Sequence, residues 1–391
     1  MEKLYKMKRK IKILAITGIR SDYDFMSLVY KEISANKNFN FSLIVTGAHL
    51  LSRFGKTISE IKKDRIKIIK IIKSINNPDE KGSRAISLGI QLQKITPIAR
   101  KLKPDFIIAV GDREESLTAS ILGSYLDIPV IHFGGGDRVV GNVDDQVRHA
   151  VSKLSNLHIT TNKFSAERLV KSGEQKFRVK NLGNPGIDRF KKEKILHKSE
   201  IAKLLHFNLS KPFFLFIYHP LSSEKNKSYK YTKLILSALK ISKHRYIIIF
   251  PNSDEGSRGV IKAINEFRDQ KTFKICKHLP RNIFVNLLKK SSGLIGNSSC
   301  GILEAPFLNL PVINIGNRQK KRVHGNNVIF VTHNKIEILN AITKVLTNYN
   351  FIKNIKKTKN LFGNGKMVNK FINFIYKVKI EKKLLIKDLT Y

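Results

Sequence analysis

Short apolar runs alternate with helical patterns along almost the whole chain, and this alternation constrains the fold more than any other feature of the sequence. In the first half, strand-like runs lie at residues 11–17, 41–45, 106–110, 130–133, 157–161 and 178–182. After a lysine-rich linker, further runs lie at residues 213–218, 246–250, 273–276, 294–295, 312–315 and 328–331. Strand, helix and strand repeated so regularly predict parallel, doubly wound sheets. The chain is therefore predicted to be an α/β protein of two similar halves with a cleft between them.

The length and composition indicate a globular protein of two domains. The chain has 391 residues, of which 42% are hydrophobic, so it can bury a sizeable core. Lys and Arg number 73 against 30 Asp and Glu, a formal net charge of +43, and the basic residues are scattered instead of gathered in one arm. Such a charge attracts polyanions weakly. Aromatic residues do not interleave with the basic ones in any short motif, so specific nucleic-acid binding is not predicted.

The cysteines and apolar segments bear on metal binding and on the compartment. Cys276 and Cys300 show no CxxC or Cys/His spacing, so neither a disulfide framework nor a metal site is predicted. The basic N-terminus, MEKLYKMKRK, leads into a short strand and not into a signal-peptide cleavage site. No run reaches the roughly 18 apolar residues that a membrane helix needs. We therefore expect a soluble cytoplasmic protein with no membrane partner.

Polar residues follow several strands of the first half, and the carboxyl edge of an open α/β sheet is where ligands bind. Those singled out are Arg20, Asp112, Arg113, Asp137 and, at the next helix start, Asp144. The carboxylates among them suit acid/base work. Asp144 has an alternative interpretation as a helix cap, with Arg148 four residues on as its ion-pair partner.

The corresponding residues of the second half are His219, Asn252, Arg318 and a polar turn at residues 297–304. Asn297, Ser298 and Ser299 are predicted to precede a helix, whose free N–H groups and dipole would hold phosphate. Glu304 is predicted in the first turn of that helix, where it would bind ligand hydroxyls such as those of a ribose. The alternative is a capped helix in which Glu304 only complements the dipole. Together the halves predict a two-sided site, with acid/base groups on one wall and an anionic leaving group on the other.

Several motifs in a fixed order carry a resemblance to a known family. They are GDREE at residues 111–115, HFGGGDRVVGNVDDQVRHAVSKLSNLHITT at 132–161, FPNSDEGS at 250–257, IGNSSCGILEAP at 295–306 and INIGNRQKKR at 313–322. With them the chain resembles the hydrolysing UDP-N-acetylglucosamine 2-epimerases over nearly its whole length except the basic ends. The resemblance implies a GT-B type pair of Rossmann-like domains with the nucleotide-sugar in the cleft. It also implies elimination of UDP to a 2-acetamidoglucal, followed by addition of water with inversion at C2.

The resemblance further implies roles for individual residues. Asp112, Asp144 and His219 are similar to the catalytic acid/base set of the family. The residues similar to those that bind the UDP-sugar are Arg20, Arg113, Arg148, Asn252, Ser298, Ser299, Glu304 and Arg318. No metal or other cofactor is implied. The implied partners are a UDP-sugar and further copies of the chain, in a homodimer or homotetramer.

Two positions depart from the family pattern. Relatives commonly have Glu, Gln or His where this chain has Gly134, so this chain has no side chain at that position to take part in proton transfer. Asp137 is the predicted substitute carboxylate. Relatives often have an aromatic residue near the uracil at the position of Arg281. A guanidinium also stacks on a base, so Arg281 is predicted to preserve that contact.

The sequence and the resemblance also predict domain limits and a substrate. The first Rossmann-like domain, with the catalytic carboxylates, is predicted over residues 1–187, the UDP-binding domain over 188–365, and a basic helix and tail over 366–391. A hinge near residue 188 would close the cleft on a UDP-sugar. UDP-N-acetylglucosamine, giving N-acetylmannosamine for sialic-acid synthesis, is the default substrate. The alternatives are a UDP-2,4-diacetamido-trideoxy sugar of a legionaminic-acid-type route and a GT-B glycosyltransferase activity.

Overall fold

The first half of the chain forms a seven-stranded parallel sheet. The computed structural model describes residues 9–75, 80–138, 143–357, 360–388 and 390. The strands of the first sheet are β1 (Ile11–Thr17), β2 (Phe39–Val45), β3 (Ile68–Ile71), β4 (Phe106–Val110), β5 (Val130–Phe133), β6 (Leu157–Thr160) and β7 (Val179–Asn181). They are ordered β3-β2-β1-β4-β5-β6-β7, and every neighbouring pair is parallel. The crossover between β3 and β4 defines the switch point of a Rossmann-type sheet.

The second half repeats this topology in a six-stranded parallel sheet. Its strands are β8 (Phe213–Ile217), β9 (Arg245–Ile249), β10 (Phe273–Cys276), β11 (Gly293–Gly296), β12 (Val312–Ile315) and β13 (Val328–Val331). They are ordered β10-β9-β8-β11-β12-β13. The predicted fold class, two Rossmann-like doubly wound domains, is therefore confirmed.

Helices connect the strands and cover both faces of each sheet. The helices are α1 (Arg20–Ala35), α2 (Ile58–Lys63), α3 (Ser83–Leu102), α4 (Glu114–Tyr125), α5 (Asp144–Leu154), α6 (Lys163–Lys171), α7 (Pro185–Lys192), α8 (Lys198–Leu205), α9 (Ser228–Ile241), α10 (Ser257–Asn265), α11 (Arg281–Lys290), α12 (Cys300–Leu303), α13 (Lys335–Thr347), α14 (Tyr349–Lys356), α15 (Met367–Lys377) and α16 (Lys382–Leu385). Short 3-10 turns lie at Gly47–Leu50, Ser52–Phe54, Lys176–Arg178, Ser222–Lys227 and Ala305–Leu308. Across the described ranges, no helix is long and apolar enough to cross a membrane.

Alternate side chains of the central strands enter separate cores on the two faces of a sheet, as the period of a strand requires. In β1, Ile13 and Ala15 pack into the core that contains α1. Leu14 and Ile16 pack into the opposite core, which contains residues of α3 and α4. Because both faces are buried, the strands read as continuous apolar runs, and this is why most of them could be predicted.

The first half contains a strand that was not predicted and a proline inside a helix. β3 was not predicted, because lysines interrupt its apolar run and it is an edge strand whose Ile71 is exposed. Pro97 does not break α3, which continues from Ser83 to Leu102. Buried Ile95 and Ala99 flank the proline and pack into the core of the first sheet. This packing offsets the backbone hydrogen bond that proline cannot make.

The C-terminal segment returns to the first sheet. Phe371 of α15 contacts Phe133 of β5 edge-to-face, with ring centroids 4.9 Å apart. Arg178 is fully buried and donates to the backbone carbonyls of Lys383 and Leu384 (2.9 and 2.8 Å). The predicted tail, which had no assigned partner, therefore packs on the first half of the chain. The predicted domain limit at residues 187–188 falls inside α7.

Candidate active site

Two adjoining cavities lie where the carboxyl ends of the two sheets face each other. The larger cavity, of about 180 Å³, is lined by the predicted site residues Arg20, His219, Asn252, Ser298, Ser299, Glu304 and Arg318. The smaller cavity, of about 140 Å³, is lined by the predicted site residues Asp112, Arg113, Asp137, Asp144, Arg148, Asn252, Ser299 and Arg318. Asn252, Ser299 and Arg318 line both cavities. The structure thus brings the predicted catalytic and UDP-sugar-binding residues to one cleft, with most carboxylates at one end; Arg281 is the exception.

His219 follows β8 and is fixed by its neighbours as a hydrogen-bond donor. Its backbone N–H donates to Oδ1 of Asn297 (2.7 Å), and Nδ2 of Asn297 donates back to the carbonyl of His219 (2.8 Å). The backbone N–H of Asn252 donates to Nδ1 of the imidazole (3.0 Å). Burial, reinforced by the positive charge of Arg318, lowers the pKa of His219 to about 3. The neutral ring therefore carries its proton on Nε2.

Two arginines make the larger cavity positive. Arg20 is the first residue of α1, and within the described part of the chain it forms no ion pair. Arg318 follows β12, and its Nη1 donates to the carbonyl of Asn297 (3.3 Å). Burial lowers the pKa of Arg20, so its charge is one that an anionic partner would stabilise. The cavity is suited to an anionic ligand.

The polar turn after β11 differs from the predicted helix start. The helix α12 is a single turn, and Glu304 follows it at the junction with the 3-10 turn Ala305–Leu308. The prediction that Glu304 lies in the first turn of a helix is therefore wrong. Pro306 has no N–H to continue the helix, and a proline also disfavours helical geometry at the residue before it. Ser298 and Ser299 both line the larger cavity, as expected.

The carboxylate of Glu304 is held against α7. Nη2 of Arg189 donates to its Oε1 (3.3 Å), while Nη1 of Arg189 donates to the backbone carbonyl of Asp24 (3.0 Å). A Cβ atom built on Gly186 would overlap Oε1 of Glu304, so a glycine at this position leaves room for the carboxylate. Burial raises the pKa of Glu304. Glu304 is thus a positioned acceptor at the wall of the larger cavity.

The catalytic candidates of the smaller cavity are each paired with an arginine. Arg148 of α5 donates to Asp112, which follows β4, and also to the carbonyl of Gly134 (2.6 Å). Nη1 of Arg84 in α3 donates to Oδ1 of Asp144 (2.8 Å). The alternative in which Arg148 serves as the ion-pair partner of Asp144 is therefore wrong. Burial, with the negative charges of Asp112 and Asp254, raises the pKa of Asp144 to about 6.

Arg113 bridges the two halves of the chain. Its Nη1 donates to Oδ1 of Asp254 (2.9 Å) and its Nη2 to the hydroxyl of Ser253 (3.4 Å), both in the loop after β9. Burial alone would raise the pKa of Asp254, but Arg113 and Arg318 together lower it to about 2. Arg113 lines the smaller cavity, yet this pair occupies part of the guanidinium that was predicted to bind substrate.

Asp137 forms a second bridge across the cleft. Both of its carboxylate oxygens accept from the guanidinium of Arg322, which follows β12. Asp137 was predicted to take part in proton transfer in place of the side chain missing at Gly134. In that role it would act as an ionised carboxylate while paired with Arg322. Gly134 itself has a left-handed backbone (φ 80°), a conformation that disfavours any other residue. Residues 139–142 of the same motif lie outside the described residues.

Arg281 does not line either cavity, so its predicted stacking on a base is wrong. Its Nε donates to Asp24 (3.0 Å) and its Nη1 to Asp64 (2.9 Å), and its guanidinium lies over the ring of Tyr23. These three residues belong to the first half of the chain, and the two carboxylates stabilise the buried cation. The aromatic residues that do line the larger cavity are Phe25, Phe54 and Phe284.

Several residues of the cleft escaped sequence reasoning. They are Asp22, Arg84, Arg189 and Arg322. Asp22 had a signal, since it lies two residues after Arg20 at the same sheet edge. The arginines lie on helices and loops distant in sequence from the carboxylates that they hold, and no spacing rule connects them. The described residues contain no group of three or more His, Cys, Asp or Glu arranged to hold a metal ion.

The fold and the cleft together define a class of protein. Two Rossmann-type sheets with the same strand order face each other across a positive, carboxylate-bearing cleft. This is the GT-B type architecture, in which ligands bind between the domains at the carboxyl ends of the strands. The chain is accordingly a two-domain protein of the GT-B type.

Comparison with known proteins identifies the family within that class. The profile of the family described as UDP-N-acetylglucosamine 2-epimerase matches residues 31–376. The chain is 33% identical to a Legionella pneumophila UDP-N,N'-diacetylbacillosamine 2-epimerase (hydrolyzing), covering 97% of this chain and 99% of the relative. It is also 33% identical to a Campylobacter jejuni GDP/UDP-N,N'-diacetylbacillosamine 2-epimerase (hydrolyzing), with 82% and 84% coverage. The chain therefore belongs to the UDP-N-acetylglucosamine 2-epimerase family and is an enzyme of that family.

A solved structure supports the fold assignment. The UDP-GlcNAc 2-epimerase of Neisseria meningitidis bound to UDP-GlcNAc superposes with a TM-score of 0.80 at 20% identity. The match covers 94% of this chain and 100% of that chain. The expected GT-B type pair of domains is thus confirmed by a structural relative of the same family.

Proposed function

We propose that the chain is a hydrolysing 2-epimerase of a UDP-linked 2-acetamido sugar. It converts this substrate and water into UDP and the free sugar inverted at C2, by elimination to a 2-acetamidoglucal followed by hydration. The observation that carries the proposal is the division of the cleft into a positive cavity and an adjoining carboxylate cavity with a shared wall. Such a division separates a leaving group from proton transfer, which is what an elimination requires.

The larger cavity holds the UDP group in this proposal. Arg20, Ser298 and Ser299 bind the diphosphate, and the Nε2–H group of His219 donates to it. Removing a proton from C2, which has no adjacent carbonyl, depends on departure of UDP. These donors therefore accelerate the reaction if they stabilise the departing diphosphate more strongly than the bound substrate. Glu304 accepts from the ribose hydroxyls, with Arg189 holding its carboxylate in place.

The smaller cavity handles protons in this proposal. Asp112 and Asp144 act near C2 and C3, where the proton is removed. Each of them lies against an arginine, which places a positive charge beside the carboxylate near the reacting carbon atoms. In the elimination, the C2–H electrons form the C1=C2 bond while the C1–O bond breaks and its electron pair leaves with the diphosphate. The proton goes to one of these carboxylates.

For the sugar, we propose UDP-N,N'-diacetylbacillosamine, a 2,4-diacetamido-trideoxy sugar, as the preferred substrate. The support is that two relatives at 33% identity are UDP-N,N'-diacetylbacillosamine and GDP/UDP-N,N'-diacetylbacillosamine 2-epimerases, the first of which matches almost end to end. UDP-N-acetylglucosamine, giving N-acetylmannosamine, is the second candidate, since the matching family profile carries that name. The product would enter a legionaminic-acid-type route in the first case and a sialic-acid-type route in the second.

Two assays test the proposal. Purified protein is incubated in D₂O with each UDP-sugar and no acceptor, and UDP release and the free sugar are followed by NMR. A hydrolysing 2-epimerase releases UDP and a C2-inverted free sugar that carries deuterium at C2. UDP release that depends on an added acceptor would support the alternative GT-B glycosyltransferase activity, and a C2-retained product without deuterium would refute the epimerase. The ratio of kcat/KM values for the two UDP-sugars decides the substrate.

We further propose that the enzyme acts as a homodimer or homotetramer in the cytoplasm. The support is the family membership, because several copies and a nucleotide-sugar substrate are expected of this family. Light scattering coupled to size-exclusion chromatography at assay concentrations measures the number of copies. A monomer with full activity would refute the oligomeric part of the proposal.

A further inference from the structure

Of the carboxylates that line the smaller cavity, Asp22 has no role in the proposed mechanism and no ion-pair partner among the described residues. Asp22 lies in the first turn of α1 and lines this cavity together with Asp112 and Asp144. The charged groups that act on it most strongly are Arg113, Asp112 and Glu114. Asp22 thus faces the same space as the two proton-handling carboxylates, but it lies on a different element of the first half, the helix α1.

The carboxylates of this cavity differ in how they are paired. Asp112, Asp137 and Asp144 each accept hydrogen bonds from an arginine. Asp22 forms no ion pair within the described ranges, and its hydrogen bond there comes from the Ser21 hydroxyl (3.4 Å). An adjacent guanidinium stabilises an ionised carboxylate, whereas burial without one favours the neutral acid. Asp22 is therefore the carboxyl group of the set best suited to retain a proton.

Electrostatics agree with this division. Burial raises the pKa of Asp22 to about 7, and the negative charges of Asp112 and Glu114 add to the effect, while Arg113 opposes it. A carboxyl group with this pKa is partly protonated near neutral pH and can act as an acid under assay conditions.

Inversion at C2 demands such a group. The proton leaves one face of C2 during elimination and must be delivered to the opposite face during hydration, so one base cannot perform both steps by itself. In hydration, the water oxygen forms a bond to C1, the C1=C2 electron pair takes a proton onto C2, and the water loses a proton to a carboxylate. A donor distinct from the ionised bases is needed for C2.

We propose that Asp22 is a further catalytic residue, the acid that delivers the proton to C2 when the glycal is hydrated. This inference rests on the proposed hydrolysing epimerase reaction. Asp22 gives its proton to C2 and becomes ionised, while Asp112 or Asp144 accepts the proton from water. Exchange with solvent then restores both groups. Asp22 lies on α1, so it is at a different position in the fold from Gly134, where relatives carry a side chain that this chain lacks.

The two half-reactions separate the role of Asp22 from that of its neighbours. Asp22→Asn keeps the size of the side chain but removes the acidic proton. With the UDP-sugar as substrate, we expect UDP release to continue while the 2-acetamidoglucal accumulates. We expect formation of the free epimer to fall by about 10²–10⁴, the usual contribution of a positioned acid. With the 2-acetamidoglucal and UDP supplied directly, wild-type protein hydrates the glycal and Asp22→Asn does not.

Controls make the outcomes decisive. Asp145→Asn changes the carboxylate that follows Asp144 in α5, whose side chain is 31% exposed against 6% for Asp144, and is expected to leave both half-reactions unchanged. UDP titration calorimetry reports whether Asp22→Asn retains a folded cleft. Near-normal hydration by Asp22→Asn overturns the inference, and so does an equal loss of elimination and hydration with UDP binding intact. If wild-type protein releases no UDP from either UDP-sugar, the proposed function fails instead.

A measurement on the wild-type protein covers the case in which Asp22→Asn does not fold. Hydration of supplied glycal is measured against pH. The rate must fall as pH rises through about 7, the pKa of Asp22, because the acid form is lost. A rate that is flat or still rising above this pH overturns the assignment of Asp22 as the acid.

Discussion

Substituting Gly186 tests the proposed role of Glu304 without touching either a charge or the ligand. Gly186 lies in the first turn of α7, and its missing side chain leaves the space that Oε1 of Glu304 occupies. Gly186→Ala places a Cβ atom there. The carboxylate must then move by about 1 Å or more to restore an ordinary van der Waals separation. Because Glu304 is the flexible partner in this overlap, the fold should tolerate the change.

The cost falls on ribose binding. The Arg189–Glu304 contact is already 3.3 Å, so a displaced carboxylate loses its position relative to both Arg189 and the ligand. A hydrogen bond to a charged acceptor contributes about 1.5–3 kcal/mol. Loss of one such bond to a ribose hydroxyl therefore weakens UDP binding by roughly 10- to 100-fold.

Calorimetry with UDP and 2'-deoxy-UDP measures this effect. Wild-type protein should prefer UDP over 2'-deoxy-UDP, and Gly186→Ala should lose most of that preference. Gly89→Ala is the matched control, because a Cβ atom on Gly89 meets no atom within 4 Å and the residue lies in α3. Unchanged UDP affinity in a folded Gly186→Ala protein would refute the reasoning. An equal loss of affinity for both nucleotides would show that Glu304 does not bind the ribose.

Three further predictions address the same cleft and the tail. Asp112→Asn should lower turnover by about 10²–10⁴ with UDP affinity near wild type, whereas Ser298→Ala should weaken UDP binding. Turnover is measured by kinetics and UDP affinity by calorimetry, and the reverse pattern would contradict both assignments. Because Asp144 acts as a base and has a pKa of about 6, kcat/KM should rise as pH increases through 6. Arg84→Gln should move this rise to higher pH, since the lost cation favoured ionisation of Asp144. A pH profile that Arg84→Gln leaves unchanged would contradict the role of Asp144. Lys387→Met should destabilise the protein by about 1.5–3 kcal/mol in denaturant unfolding, because it removes the ion pair in which Nζ of Lys387 lies 2.7 Å from Oε2 of buried Glu174. Glu174 keeps Lys153 at 3.5 Å and His158 at 2.9 Å as partners; full stability would contradict a structural role for the tail.

The fold could be predicted because its signal is local and repeated. Strands buried on both faces are apolar at every position, and β4 and β8 show this pattern over their whole length. β1 shows it from Ile13 to Ile16. Edge strands are exposed on one side, and the lysine-bearing β3 was missed for that reason. The course of the C-terminal tail could not be predicted either. Its apolar stripe is visible in the sequence, but the surface that covers it is set by the tertiary fold.

The site could be predicted only in part, and the missing part consists of Asp22 and of the arginine partners. Sheet edges placed His219 and Asp112 correctly, because strand ends are visible in the sequence. No local pattern showed that Arg281 would turn away from the cleft toward Asp24 and Asp64. An arginine at the position of an aromatic residue can reach across to carboxylates of the facing domain, as Arg281 does here. That opposite surface is known only once the two halves are docked.

The cross-cleft pairs connect the closed arrangement of the halves to the proposed chemistry. Arg113 reaches Asp254, and Arg322 reaches Asp137, each from the opposite half of the chain. Separating the halves would remove these cations from carboxylates that are buried in the closed cleft. Because a cation stabilises an ionised carboxylate, opening and closing alter the charge of the smaller cavity as well as its shape. The arginines that pair with the proposed bases, Arg148 with Asp112 and Arg84 with Asp144, lie in the same half as those bases, so these pairs do not depend on closure. In the proposed mechanism, closure therefore acts by excluding water from the reacting sugar and by fixing the two walls of the cleft against each other.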